Sequence, residues 1–227
     1  VNSRAEVVEI EREKKMPTNA LVVVAHHDDA ILWMGGTIRR LRDWNWRIVS
    51  MCVPDPVNRE YLQQTCDALG VKSSPFTFAD YQRDAAFARN DREQMNAALL
   101  RAVGDEKFDW VFTHNPDEFG EYAFHANHSE TVQVATALVQ GGRLTTGMDR
   151  VAFFSYRLIY GRSRATVARL EATHYLQLTY DELLFKCQWT MRAPDAETNL
   201  KNIRYPCPNP EAFVGDGLQL PDPFIPR

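Results

Sequence analysis

The 227 residues carry 26 Lys and Arg against 30 Asp and Glu, a net charge of −4 at neutral pH. No basic footprint of the kind that nucleic acid selects is present, so nucleic acid is not an expected partner. No apolar run approaches the roughly 20 residues needed to span a bilayer, so no membrane role is expected either.

The length suits one sizeable α/β domain, and a single domain over 1–227 is the expectation. Residues 1–17 read as a polar leader without the apolar core of a secretory signal. Four cysteines, Cys52, Cys66, Cys187 and Cys207, are scattered without a C-x-x-C pair. They read as reduced thiols, and a cytoplasmic location follows as an expectation.

In chain order, a strand is predicted at 20–25, where Leu21, Val22, Val23 and Val24 form a run buried on both faces. A helix follows over 35–46, with Ile38 and Leu41 at i, i+3 spacing. A second strand is predicted at 47–53, broken by Pro54-Asp55-Pro56, then a helix at 58–69 stopped by Gly70. A third strand at 75–78, a helix at 91–103 and a fourth strand at 109–113 come next. A helix at 127–140 is closed by Gly141-Gly142. Strands at 151–156 and 174–178 and a helix at 180–192 complete the regular elements. The proline-rich stretch 193–227 reads as an extended wrap over the domain. This alternation predicts a Rossmann-like, three-layer α/β fold with a mostly parallel sheet.

The first strand ends in His26-His27-Asp28-Asp29. Two imidazoles and two carboxylates beside a sheet are costly unless a metal or a paired charge compensates them. They also fall where ligands bind in open α/β sheets, beyond the carboxyl ends of the strands. A second cluster follows strand four: Thr113-His114-Asn115-Pro116, then Gly120-Glu121-Tyr122 and His125-Ala126-Asn127-His128. The i, i+3 pair His125 and His128 places both rings on one side of a helix start. A His and an Asp from the first loop with one His from the second would fill a three-ligand catalytic zinc site. One Asp and one His would then stay free for proton transfer and oxyanion stabilisation. The competing readings are plainer: the acids as a helix cap, and the two His as a surface helix start.

In these motifs the chain resembles the PIG-L/LmbE-like zinc-dependent N-deacetylases. Their first motif, Ala-His-Pro-Asp-Asp-Glu followed by Gly-Gly-Thr, stands here as Ala25-His26-His27-Asp28-Asp29-Ala30 with Gly35-Gly36-Thr37. Their His-Pro-Asp-His stands as His125-Ala126-Asn127-His128, and Tyr81-Gln82-Arg83-Asp84 resembles their intervening Tyr-Arg-Asp segment. The resemblance covers about 20–138. It implies His26, Asp29 and His128 as metal ligands, Asp28 as general base, and His125 as oxyanion stabiliser and proton donor to the leaving amine. Arg83 would grip substrate hydroxyls or a carbonyl, with Tyr122 also at the substrate. The implied cofactor is Zn2+, with Fe2+ an alternative occupant of such an N/O site.

Five departures stand out. His27 replaces a Pro, Ala30 a Glu, Asn127 an Asp and Phe124 a Gly, and Tyr122 lies one residue farther from the His than in the pattern. His27 is expected outside the ligand set, and His114 is expected to be structural, its ring bonded to loop backbone. Trp33, Tyr81, Phe119, Tyr122 and Phe124 would suit a sugar face or, equally, the core. The expected function is removal of an acetyl or other acyl group from the amide nitrogen of an amino sugar or sugar-linked metabolite. Two alternatives are an amidase acting on a larger conjugate or antibiotic side chain, and a non-catalytic metal- or sugar-binding relative. The expected partner is that small molecule, and a homo-oligomer is compatible with the sequence.

Overall fold

A computed structural model of the chain describes residues 17–53, 55–79, 90–116, 125–145, 147–159, 165–194 and 207–226. The order is β1 (Asn19–Val24), α1 (Asp29–Arg40), β2 (Asn45–Ser50), α2 (Pro56–Leu69), β3 (Lys72–Pro75), α3 (Arg92–Val103), β4 (Trp110–Thr113) and α4 (Ala126–Gln140). It continues with β5 (Val151–Phe154), β6 (Tyr156–Ile159), β7 (Ala165–Ala168), β8 (His174–Leu176), α5 (Tyr180–Thr190), β9 (Glu211–Val214) and β10 (Ile225–Pro226).

Among the described residues, eight strands form one sheet in the order β10-β8-β9-β5-β4-β1-β2-β3, and β6 pairs with β7 separately. From β5 to β3 the neighbours run parallel. Strands β9, β8 and β10 extend the sheet antiparallel beyond β5. The chain fills one side of β1 with β2 and β3, then crosses to the other with β4 and β5. The crevice at this switch point, between the carboxyl ends of β1 and β4, is where such sheets bind ligands.

Both faces of β1 are covered, which is why its apolar run is continuous rather than alternating. Val22 and Val24 pack with Trp33 and Ile38 of α1 and Leu62 of α2 on one face. Leu21 and Val23 pack with Leu99 of α3 and Val134 and Leu138 of α4 on the other. The mostly parallel, three-layer α/β architecture predicted from the sequence is the one observed.

The structure departs from these expectations at four places. The first helix starts at Asp29 rather than residue 35, because the turn at Met34 (φ −146°, ψ 20°) joins two helical pieces into α1. The Gly-Gly-Thr sequence heads the second piece. There the free N–H groups of Gly36 and Thr37 donate to Glu211 at 2.9 and 2.6 Å, as helix N-termini favour. A Cβ on Gly36 would lie 2.3 Å from Leu178 Cδ2, so only glycine lets α1 approach that residue. Strand β3 lies at 72–75, three residues before the predicted run. The β6–β7 pair has no counterpart in the sequence reading. Within the proline-rich 193–227, β9 enters the main sheet between β5 and β8, too short a run to stand out among prolines. Glu211 of β9 also pairs with Lys186 of α5 at 2.7 Å, both fully buried.

Candidate active site

Beyond Val24 the chain turns through His26 to Asp29 and enters α1. Asp28 occupies the N-cap position, but its side chain makes no capping hydrogen bond. The capping explanation for these acids therefore has no support at Asp28. Asp29 is turned inward, 3 % exposed. Its Oδ2 accepts the His26 backbone N–H at 2.7 Å, and its Oδ1 accepts the Trp33 indole N–H at 3.2 Å.

Three histidine rings surround that carboxylate. His26 Nδ1 lies 3.3 Å from Oδ2, His114 Nε2 3.3 Å from Oδ2, and His128 Nε2 3.6 Å from Oδ1. His26 Nδ1 and His128 Nε2 are 3.2 Å apart. Among the described residues, two donor groups able to hold a metal ion share these side chains: His26 with His125 and His128, and Asp29 with His114 and His128. His125, at the N-cap of α4, stacks on His128 with centroids 4.6 Å apart and meets His26 edge-on at 4.7 Å. The predicted His26, Asp29, His128 and His125 are thus brought together.

Burial alone would raise the proton affinity of Asp29. Its electrostatic interaction with His128 and His114, together with hydrogen bonds from His114 and His26, outweighs it and holds the carboxyl well below its usual range. Burial, followed by the charge of His114, pushes His128 well below the ordinary imidazole value. An ionised carboxylate beside a neutral imidazole is the protonation state in which both bind a cation.

His114 is fully buried, and its Nε2 accepts the Ala25 N–H at 2.9 Å. Just past the end of β4, its ring takes the place of the next carbonyl in the ladder, which is the structural part expected of it. The sequence reading did not anticipate its second contact: the ring stacks on His128 at 3.8 Å and touches Asp29. The Thr-His-Asn-Pro position at a strand end was the available signal.

His27 turns away from the cluster and packs edge-on against Tyr61 of α2 at 5.5 Å, and it belongs to neither donor group. Ala30 joins the apolar core beside Trp33, leaving no carboxylate there. Trp33, read as suiting either a sugar face or the core, is fully buried in the core. Asn127 donates its side-chain amide to Ala79 O at 2.8 Å and to Cys52 Sγ at 3.1 Å. Arg83, Tyr122, Tyr81, Phe119 and Phe124 lie outside the described residues.

The model of the PIG-L family, described as GlcNAc-PI de-N-acetylase, matches residues 21–139. Among solved structures, N,N'-diacetylchitobiose deacetylase from Pyrococcus horikoshii superposes with a TM-score of 0.57 at 17% identity, covering 92% of this chain and 88% of that one. A deacetylase of the teicoplanin biosynthesis pathway gives 0.55 at 13%, covering 88% and 99%. GalB, the 4-carboxy-2-hydroxymuconate hydratase of Pseudomonas putida, gives 0.56 at 14%, covering 90% and 98%. At these identities the solved structures establish the fold. The family match spans both histidine-bearing motifs of the cluster, and this chain belongs to the PIG-L family of de-N-acetylases.

Proposed function

We propose that the chain is a zinc-dependent hydrolase that removes an acetyl or other acyl group from the amide nitrogen of an amino sugar or sugar-linked metabolite. The observation that carries this is the convergence of His26 Nδ1 and His128 Nε2, 3.2 Å apart, on the Asp29 carboxylate, the first 3.3 Å from Oδ2 and the second 3.6 Å from Oδ1. Ligand atoms on a tetrahedral zinc, about 2.0–2.1 Å from the ion, lie about 3.3 Å apart, close to the spacing of the two ring nitrogens and to the approach of each to a carboxylate oxygen. His26, Asp29 and His128 would hold the ion. When bound, it supplies Lewis acidity, polarising the amide carbonyl and acidifying the attacking water.

The remaining roles fall to the chain's own groups. Asp28, adjacent to the ligand Asp29 and outside both donor groups, takes the proton of the attacking water. His125, in ring contact with His26 and His128, donates a hydrogen bond to the oxygen on which negative charge develops, then passes a proton to the departing amine. Arg83 and Tyr122 are assigned to substrate hydroxyls. An amino-sugar substrate is favoured by the family and by the chitobiose and teicoplanin enzymes of the same fold.

The test is free-amine release from N-acetylglucosamine derivatives, with and without added zinc. Zinc-dependent release is expected. Metal retention with no amine from a broad panel, including larger glycoconjugates, would replace this reading with a binding protein.

A further inference from the structure

We propose that Trp33 is a positioning residue for the metal-binding carboxylate of Asp29. This rests on the reading of Asp29 as a ligand.

Both oxygens of Asp29 accept a hydrogen bond from an N–H outside the imidazole rings, the His26 backbone N–H on Oδ2 and the Trp33 indole N–H on Oδ1. With a donor on each oxygen, the carboxylate cannot rotate about its terminal torsion without breaking one bond. Held so, the carboxylate keeps Oδ2 3.3 Å from the His26 and His114 ring nitrogens and Oδ1 3.6 Å from that of His128. Hydrogen bonds from outside the ligand set are what fix ligand orientation in metal sites. Residues 29 and 33 are i, i+4 on α1, the spacing that stacks two side chains on one helix face.

Trp33 is itself held twice by Tyr156. Its ring stacks on Tyr156 with centroids 5.0 Å apart and planes 28° from parallel. The Tyr156 hydroxyl donates to Trp33 O at 2.8 Å and accepts the Ala212 N–H of β9 at 2.9 Å. The break at Met34 makes room for that bond. In an unbroken helix the Thr37 N–H would donate to Trp33 O, but here it donates to Glu211. Both Ala212 and Glu211 belong to β9, so the C-terminal strand, outside the part of the chain the family model matches, ends up setting the angle of a ligand in the first motif.

The experiment measures Zn2+ affinity by chelator competition alongside thermal unfolding of the metal-free protein. The variants are Trp33→Phe, replacement of Trp33 by benzothienylalanine, and Trp46→Phe. The benzothiophene keeps the indole's shape and loses only the N–H. Trp46 is a buried control: its N–H donates to Leu41 O at 2.8 Å, and it pairs with Ala20 at the opposite end of β1 from the site. Loss of an orienting partner typically weakens metal binding about 10–100-fold. That loss is expected in both Trp33 variants, with Trp46→Phe binding zinc as the parent does however much its unfolding temperature falls. Benzothienylalanine protein binding zinc within twofold of the parent would overturn the role of Trp33 and leave the metal reading intact. A parent chain that binds no zinc would overturn the metal reading and this inference with it.

Discussion

His26 Nδ1 and His128 Nε2 approach to 3.2 Å although 102 positions separate them in the chain. One follows β1 and the other lies in the first turn of α4, and parallel pairing of β1 with β4 brings the two connections to the same sheet edge. Two ring nitrogens with their lone pairs converging on a carboxylate repel one another unless a cation or proton lies between them.

Removing one of those nitrogens should therefore remove the metal. His128→Ala is expected to lose most of the roughly one divalent ion per chain that a three-ligand site holds. Elemental analysis of purified parent and variant is the check, and unchanged metal content would reject His128 as a ligand.

The adjacent acids should separate by phenotype. Asp28→Asn is expected to keep zinc and lose about 10²–10⁴ in rate, which is about 3–5 kcal/mol of barrier. Asp29→Asn should bind zinc more weakly and regain some activity in excess zinc. Zinc titration of both variants followed by amine release decides it; if zinc rescues Asp28→Asn instead, the roles are reversed.

For Arg83, kinetics with metal content held constant are informative. Arg83→Ala should raise KM or lower kcat/KM by losing substrate contacts alone. Parameters matching the parent would make Arg83 an ordinary surface residue.

The buried pair of Lys186 and Glu211 should govern the hold of β9 on α1. Glu211→Gln leaves the Lys186 ammonium without its counter-charge in a fully buried site, a loss of about 3–5 kcal/mol. The double variant Lys186→Met with Glu211→Gln should recover part of that. Denaturant unfolding of the three proteins tests both statements.

Metal-free protein should lose stability on the acid side. His128 has a depressed folded pKa, so its contribution is complete above the unfolded value of about 6.5 and declines as pH falls below it. In that window the unfolded chain binds the extra proton, and stability rises with pH by at most about 1.4 kcal/mol per unit for one group. Asp29, also depressed, adds a second decline below about pH 4. Unfolding curves from pH 4 to 8 in chelator should show the slope, and His128→Gln should flatten the part near pH 6.

What could be read from the sequence was whatever depends on near neighbours in the chain. The apolar run 21–24 specified a central strand, the strand–helix alternation specified a parallel sheet, and strand ends drew attention to the two His- and Asp-bearing loops, within which the resemblance to the de-N-acetylase motifs singled out His26, Asp29, His125 and His128. Relations across the fold were set by tertiary packing. Nothing local to Thr113-His114 says that its ring will lie against both Asp29 and His128, since that depends on how β4 registers with β1. Nothing in a proline-rich tail announces that Glu211 will cap the second half of α1, or that Tyr156 and Ala212 will fix Trp33. A four-residue strand has too little periodicity to be seen alone, and it becomes a strand only because β5 and β8 offer their open edges.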